Sequence, residues 1–113
     1  MSTNISFDDF EKVDIRVGRI IEVTDFERAR FPSYKLKIDF GEDLGIKYSS
    51  ARLKTTYTPQ QLLNRQCLAV VNFEPKNIAG FLSEVLVLGV DNKNGGVSII
   101  SPDPEGIIGN KLY

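Results

Sequence analysis

The chain of 113 residues contains no histidine, no tryptophan, one cysteine and one methionine. Each shortage removes a class of chemistry. Without histidine there is no Ser-His or Cys-His nucleophilic pair, no His-ligated zinc and no imidazole acid or base near neutral pH. One cysteine forms no internal disulfide, and Cys67 heads an apolar run, where a buried, inert thiol is expected rather than a nucleophile. Runs of ~20 apolar residues, the length needed to cross a bilayer, are also missing, so no membrane insertion is expected. The opening MSTNISFDDFEK has neither a basic start nor an apolar stretch, unlike a signal peptide, and a cytoplasmic location follows as the expectation. There is no GxxxxGK[ST] and no GxGxxG to cradle a phosphate. Carboxylates are plentiful, but Asp8/Asp9 and Glu42/Asp43 are adjacent pairs at a helix start and in a turn, where solvated carboxylates are expected. A non-enzymatic binding protein without metal or cofactor is the reading that remains.

What is present is an ordinary globular composition, 42% hydrophobic and 26% charged, expected to form one domain over residues 1–113. The net charge is −1, too small for bulk attraction to nucleic acid, yet its distribution is uneven. Between Arg28 and Lys54 stand seven cations (Arg28, Arg30, Lys35, Lys37, Lys47, Arg52, Lys54) against Asp39, Glu42 and Asp43. This asymmetry permits a polyanionic partner, and a lysine-rich solvated sheet face would have the same composition.

The most apolar stretch is Leu68 to Val90. Two Val- and Leu-rich runs within it, Cys67–Phe73 and Glu84–Val90, are predicted to be central strands joined by a shaped turn from Asn72 through Ser83. That turn gathers Phe73, Lys76 and Phe81 and is the first candidate site, since loops on a rigid sheet commonly carry binding groups. The alternative is a connection whose aromatics plug the end of a barrel.

Taken in order, Ser6 is placed to cap a short helix over Phe7–Lys12, with Phe7 and Phe10 on one side awaiting cover from the barrel or from a partner subunit. Val13 to Val23 alternates as a long strand with its apolar side at the odd positions, and Gly18 permits a bend. A charged loop, Thr24–Ser33, leads to a second strand over Tyr34–Phe40. Phe31 and Tyr34 beside Arg28, Arg30 and Lys35 suit base stacking with phosphate contacts, or the clamping of an extended peptide, or simple packing of a loop on its own barrel.

Gly41–Gly45 is a tight reversal, and Ile46–Leu53 a third strand in which Ser49, Ser50 and Ala51 leave room for a ligand or another backbone. Thr58-Pro59-Gln60-Gln61 is a capping box that starts a short helix, ended at Asn64. Asp91–Gly96 is a hairpin turn and Val97–Ser101 an added strand. A short helix between the third and fourth strands of an otherwise all-β chain is the layout of the OB-fold, a five-stranded barrel, here with an added N-terminal helix and C-terminal strand elements. The tail PDPEGIIGNKLY carries Ile107, Ile108, Leu112 and Tyr113, which need burial on this barrel or in a symmetric dimer with the N-terminal helix.

Several blocks together, Asp14–Gly18, Tyr34–Gly41, Ser49-Ser50-Ala51, Tyr57-Thr58-Pro59, Val70–Phe73, Ser83–Gly89 and Gly109–Tyr113, resemble the CsaA export-chaperone family. That family lies within the group of tRNA-binding domains found free-standing and at the C-terminus of methionyl-tRNA synthetases. The resemblance spans Phe7 to Tyr113. It implies an OB-fold homodimer built through terminal elements (Phe7, Phe10, Ile107, Ile108, Leu112, Tyr113), and two activities, binding of unfolded or secretory preproteins and binding of tRNA. The group's signature falls on Asn72, Pro75, Lys76, Ser83 and Glu84. Val85-Leu86 replaces its usual Gly-Met, and Arg30-Phe31-Pro32-Ser33-Tyr34 its His-Pro segment, both in the manner of the CsaA subtype. For either ligand the expected contact residues are Arg28, Arg30, Phe31, Tyr34, Lys35, Lys37, Arg52, Asn72, Phe73, Lys76, Phe81, Ser83 and Glu84.

Overall fold

The structure, a computed structural model, describes residues 3–113; Met1 and Ser2 of the acidic opening stretch lie outside the described residues. The first helix, α1, covers Phe7–Glu11. The Ser6 hydroxyl accepts the Asp9 N–H at 3.1 Å and the Asp9 carboxylate accepts the Ser6 N–H at 3.3 Å, which satisfies two donors of the helix start reciprocally. No residue of α1 is fully buried, and only Phe10 is partly covered.

Strand β1, Ile15–Asp25, serves two partners. Its first half, Ile15–Arg19, pairs with β4 (Gln66–Val70), and its second half, Arg19–Asp25, pairs with β2 (Tyr34–Asp39). The side facing the core differs from the expected one. Gly18 and Ile20, at even positions, point into the barrel, where a Cβ on Gly18 would stand 2.5 Å from Ile38 Cγ2. A bulge between Ile20 and Glu22 then reverses the faces and brings Val23 against the core.

The backbone edge of Ile15–Val17 that β2 does not reach is taken by the C-terminal tail. Gly109 donates to the Val17 carbonyl at 2.8 Å, Val17 to the Asn110 carbonyl at 3.1 Å and Leu112 to the Ile15 carbonyl at 2.8 Å. The tail is therefore docked on its own barrel through its backbone.

β2 alternates strictly, with Tyr34, Leu36 and Ile38 inside, followed by Phe40. The reversal into β3 (Ile46–Ala51) is closed by Gly45 N–H to Gly41 O at 2.7 Å, with both glycines at positive φ. Helix α2, Pro59–Leu62, starts with the Thr58 N–H donated to Gln61 Oε1 at 2.8 Å and pushes the fully buried Leu62 into the core. Asn64, at φ 69°, ends the turn and donates its N–H to the Ile20 carbonyl.

The five-stranded antiparallel sheet runs β3-β2-β1-β4-β7, with β7 at Leu86–Val87, and curls into a nearly closed OB-fold barrel. Two details depart from the sequence reading. The expected turn between the central runs is itself a hairpin, β5 (Lys76–Ile78) and β6 (Phe81–Ser83), turned at Ala79 and Gly80 with positive φ at both. The second run is two strands, because Leu88 changes partner: its N–H goes to Leu68 O at 2.9 Å and its carbonyl accepts from Ile100 at 3.0 Å. The chain continues as β8 (Gly89–Asp91), paired with β9 (Val97–Ile99) across the expected Asn-Gly-Gly turn.

Candidate ligand-binding groove

The barrel seam, between β3 and the chain leaving β6, is closed at one end only. Glu84 N–H bonds the Tyr48 carbonyl at 2.8 Å, its carboxylate accepts the Tyr48 N–H at 3.0 Å, and the Ser83 hydroxyl accepts the Ser50 N–H at 3.0 Å. Beyond Ser50 the two sides diverge into a groove of about 880 Å³. Its walls are the β1–β2 loop with Arg30 and Phe31, the end of β3 with Arg52, the β5–β6 region with Phe73 and Lys76, and the β7–β8 edge. These are the loops that OB-folds use for ligands. The lining is largely aliphatic and aromatic, and its charges balance: Arg30, Arg52 and Lys76 against Glu74, Glu84 and Asp91.

Phe31 stands at the mouth as an exposed ring held by two cations, with the Arg52 guanidinium 3.9 Å and that of Arg30 5.6 Å from its centroid. The stacking orients the ring without covering it, at ~0.5–1 kcal/mol per exposed contact. Phe73 is also exposed.

The groove thus unites seven of the expected contact residues, Arg30, Phe31, Arg52, Phe73, Lys76, Ser83 and Glu84. Within that set the polar atoms of Ser83 and Glu84 already serve the seam. A second, smaller cleft of about 420 Å³ takes Arg28, Lys35 and Phe81. There Phe26 and Phe81 meet edge to face at 5.4 Å, and Lys35 Nζ lies 5.0 and 5.3 Å from the two rings. Lys37 lies in neither, standing on the outer sheet face between Glu22 and Tyr48.

Two further residues line neither cleft. Tyr34 is 5% exposed and its hydroxyl donates to the Tyr57 carbonyl at 2.8 Å, so it belongs to the core. Strand alternation puts it on the inner row with Leu36 and Ile38. Asn72 is exposed but engaged, its Oδ1 accepting the Asp14 N–H at 3.1 Å and its Nδ2 donating to the Lys12 carbonyl at 2.8 Å, which ties the exit of α1 to the end of β4.

Sequence reasoning missed Tyr48, Ile78, Leu86 and Val90. Tyr48 is exposed on the outer face of β3 and packs edge-on to Phe81 at 6.4 Å. The alternation of Ile46, Tyr48 and Ser50 was the available signal. Leu86 and Val90 look like interior residues in sequence and are exposed because β7 and β8 lie at sheet edges.

At the terminal end, Ile108 and Leu112 are half-buried on the barrel, whereas Ile107 and Phe7 are each 70% exposed and Tyr113 is fully exposed. Burial of the whole tail on its own chain, one of the two expectations, holds only for Ile108 and Leu112. Lys111 joins tail to helix by donating to the Glu11 carbonyl at 3.1 Å. Cys67 is buried, and its desolvation pushes the thiol up to about 12, which fits an inert core residue. The carboxyl of Glu105 is held low and the guanidinium of Arg19 high by their shared hydrogen bonds, which pin the Pro102–Gly106 segment outside β1. Among the described residues no cluster of His, Cys, Asp or Glu is arranged to hold a metal, and no helix is long and apolar enough to cross a membrane.

The chain is thus an OB-fold barrel with a partly open seam and exposed aromatic residues beside it. The chain belongs to the putative tRNA binding domain family, whose model matches residues 15–111. It is similar to the CsaA chaperone protein of Picrophilus torridus, at 51% identity and a TM-score of 0.91 over 97% of this chain and all of that one. It is similar also to the chaperone CsaA of Bacillus anthracis str. Ames, at 43% identity and a TM-score of 0.90 over 98% of this chain and all of that one. The methionine–tRNA ligase of Pyrococcus abyssi is 40% identical over 108 residues, 96% of this chain and 14% of the ligase. The chain spans about a seventh of the length of the curated relatives it matches.

Proposed function

We propose that this chain is a non-enzymatic, cytoplasmic binding protein of CsaA type, a homodimer that holds extended, partly apolar segments of unfolded or secretory preproteins. One observation carries this reading: the groove beyond the seam is lined mainly by apolar side chains and its charges cancel. A polyanion gains its affinity by releasing counterions from phosphates, about 0.7–0.9 of an ion per contact, and a groove with no net charge offers little of that. An apolar peptide gains from burying its side chains against Phe31, Phe73, Leu86 and Val90.

The dimer rests on the exposed Ile5, Phe7, Ile107 and Tyr113, with the terminal elements that carry them joined by Lys111 and Glu11. An apolar patch of this kind marks an association surface.

A second reading has its own observation. Arg28, Lys35 and Lys37 lie outside the main groove, with Phe26, Phe81 and Tyr48 near them, a combination of cations and rings suited to structured RNA such as tRNA. The two readings separate cleanly in experiment. A permanently unfolded model protein is mixed with a few-fold excess of this chain and its aggregation followed by light scattering. Suppression supports the peptide reading, and its absence removes it. Titration of bulk tRNA at low and moderate salt reads the other, which requires binding that weakens steeply as salt rises.

A further inference from the structure

One wall of the groove is unlike the rest, because it is backbone. β7 is the outer strand of the five-stranded sheet and β8 pairs with β9 alone, so among the described residues the ladder bonds of the chain from Leu86 to Asp91 run along one edge only. The bonds establish which residues face which way. Leu88 donates to Leu68 and accepts from Ile100, and Asn92 donates to the Gly96 carbonyl. In an antiparallel ladder the N–H and C=O of one residue share a side and alternate along the strand. Leu86, Leu88 and Val90 therefore turn theirs to β4 and β9, and Val87, Gly89 and Asp91 turn theirs to the groove. Among the described residues no hydrogen bond occupies the backbone groups of those three.

The opposite bank opens in step. Tyr48 bonds the facing backbone, Ser50 reaches only the Ser83 side chain, and Arg52, just past the end of β3, has no backbone bond among the described residues. Exposed edges are ordinarily blunted by lysine, proline or a bulge. Between Val85 and Asp91 there is neither Lys nor Pro, and the one charge, Asp91, stands at the end; the segment presents an exposed Leu86 and Val90, 55% exposed.

We propose that this edge takes an extended apolar polypeptide as an added strand. Its amides and carbonyls pair with Val87, Gly89 and Asp91, and alternate side chains pack toward Phe31 and Phe73. This inference rests on the peptide-binding reading above and specifies its mode. Seven residues of edge span roughly 20 Å, and the groove's balanced charge suits a neutral backbone better than a phosphate chain. Main-chain pairing is indifferent to sequence, so the groove would accept many preprotein segments that share only extension and apolar alternation.

The test uses the full-length chain and a fluorescent peptide of about ten residues, alternating Val and Thr between terminal lysines. Two further versions carry N-methyl groups on alternate amides, one on each side of the strand. Methylation on one side is expected to weaken binding about tenfold or more, and methylation on the other to change it by less than about twofold. Amide exchange at Val87, Gly89 and Asp91 is expected to slow on binding. If the unmodified peptide binds while both methylated versions lose equally, or neither loses, and exchange is unchanged, the added strand is overturned and the proposed function stands. If exchange at these residues slows with protein concentration in the absence of peptide, a second copy occupies the edge and the inference fails. Failure of the unmodified peptide to bind overturns the peptide reading together with the added strand.

Discussion

Gly18→Ala probes the barrel at its tightest point. The methyl it adds would stand 2.5 Å from Ile38 Cγ2 and 2.7 Å from Phe40 Cε1, where carbon pairs ordinarily rest about 3.5–4.0 Å apart. Something must move by about 1 Å. Ile38 and Phe40 are 0% and 1% exposed, and Gly18 itself is held to Cys67 in the β1–β4 ladder, so no free surface absorbs the shift. Overpacking of this kind costs about 1–3 kcal/mol, offset by about 0.5–1 kcal/mol as alanine restricts the unfolded chain. The expected net destabilisation is about 1–2 kcal/mol, or about 5–15 °C in Tm for a domain of this size. The assay is urea and thermal unfolding followed by circular dichroism at one fixed protein concentration, since dimerisation would make Tm concentration-dependent. Ile38→Ala, which removes the clashing Cγ2, costs about 2–5 kcal/mol alone and is expected to cost about 1 kcal/mol less in the Gly18→Ala background. A Gly18→Ala variant as stable as the parent, or strictly additive costs, would refute the packing argument.

Four other outcomes follow from the same geometry. Phe31→Ala and Arg52→Ala leave unfolding within about 0.5 kcal/mol of the parent, because both side chains are exposed, while weakening an apolar peptide roughly tenfold in fluorescence anisotropy. Phe7→Asp combined with Tyr113→Asp places charge among the exposed terminal apolar residues and is expected to convert the proposed dimer to a monomer by light scattering, with the circular dichroism spectrum unchanged. Cys67 resists alkylation at pH 8 until the chain unfolds. Its folded thiol titrates at about 12 against an ordinary value of 9.0, so the stability it contributes is complete below pH 9 and is lost as pH rises towards 12, measured by urea midpoints across that range. Lys35→Glu with Lys37→Glu abolishes any salt-sensitive tRNA binding and leaves peptide affinity unchanged, since neither residue lines the main groove.

The elements that local chemistry specifies were legible. Ser6 and Asp9 cap a helix, Gln61 returns to Thr58, the Gly41 and Gly45 pair closes a reversal at positive φ, and Tyr34–Phe40 alternates as read. Each depends on groups within a few residues of one another. The departures came where distant segments meet. The period-2 pattern of Val13–Val23 favoured the odd side throughout, whereas Gly18 and Ile20 face the barrel, Val17 lies beneath the tail at Gly106, and a bulge after Ile20 turns Val23 to the core. Glu84–Val90 read as one strand because Val and Leu run through it, and the exchange of partners at Leu88 depends on Ile100, twelve positions away, and on Leu68.

By itself the sequence determined that the chain lacks the groups for histidine or disulfide chemistry, that it is built of strands with two short capped helices, and that its blocks resemble those of a known family. Only the tertiary structure decided which side chains meet. It sorted the interleaved aromatics and cations into a groove, a smaller cleft and the core, sending Tyr34 inward and setting Phe31 at the mouth. Among the described residues it also left the outer edge of β7 and β8 without a paired strand. The physical reason is range: caps, turns and alternation are properties of neighbours in the chain, whereas burial and the pairing of a strand's second edge depend on which remote segment arrives beside it.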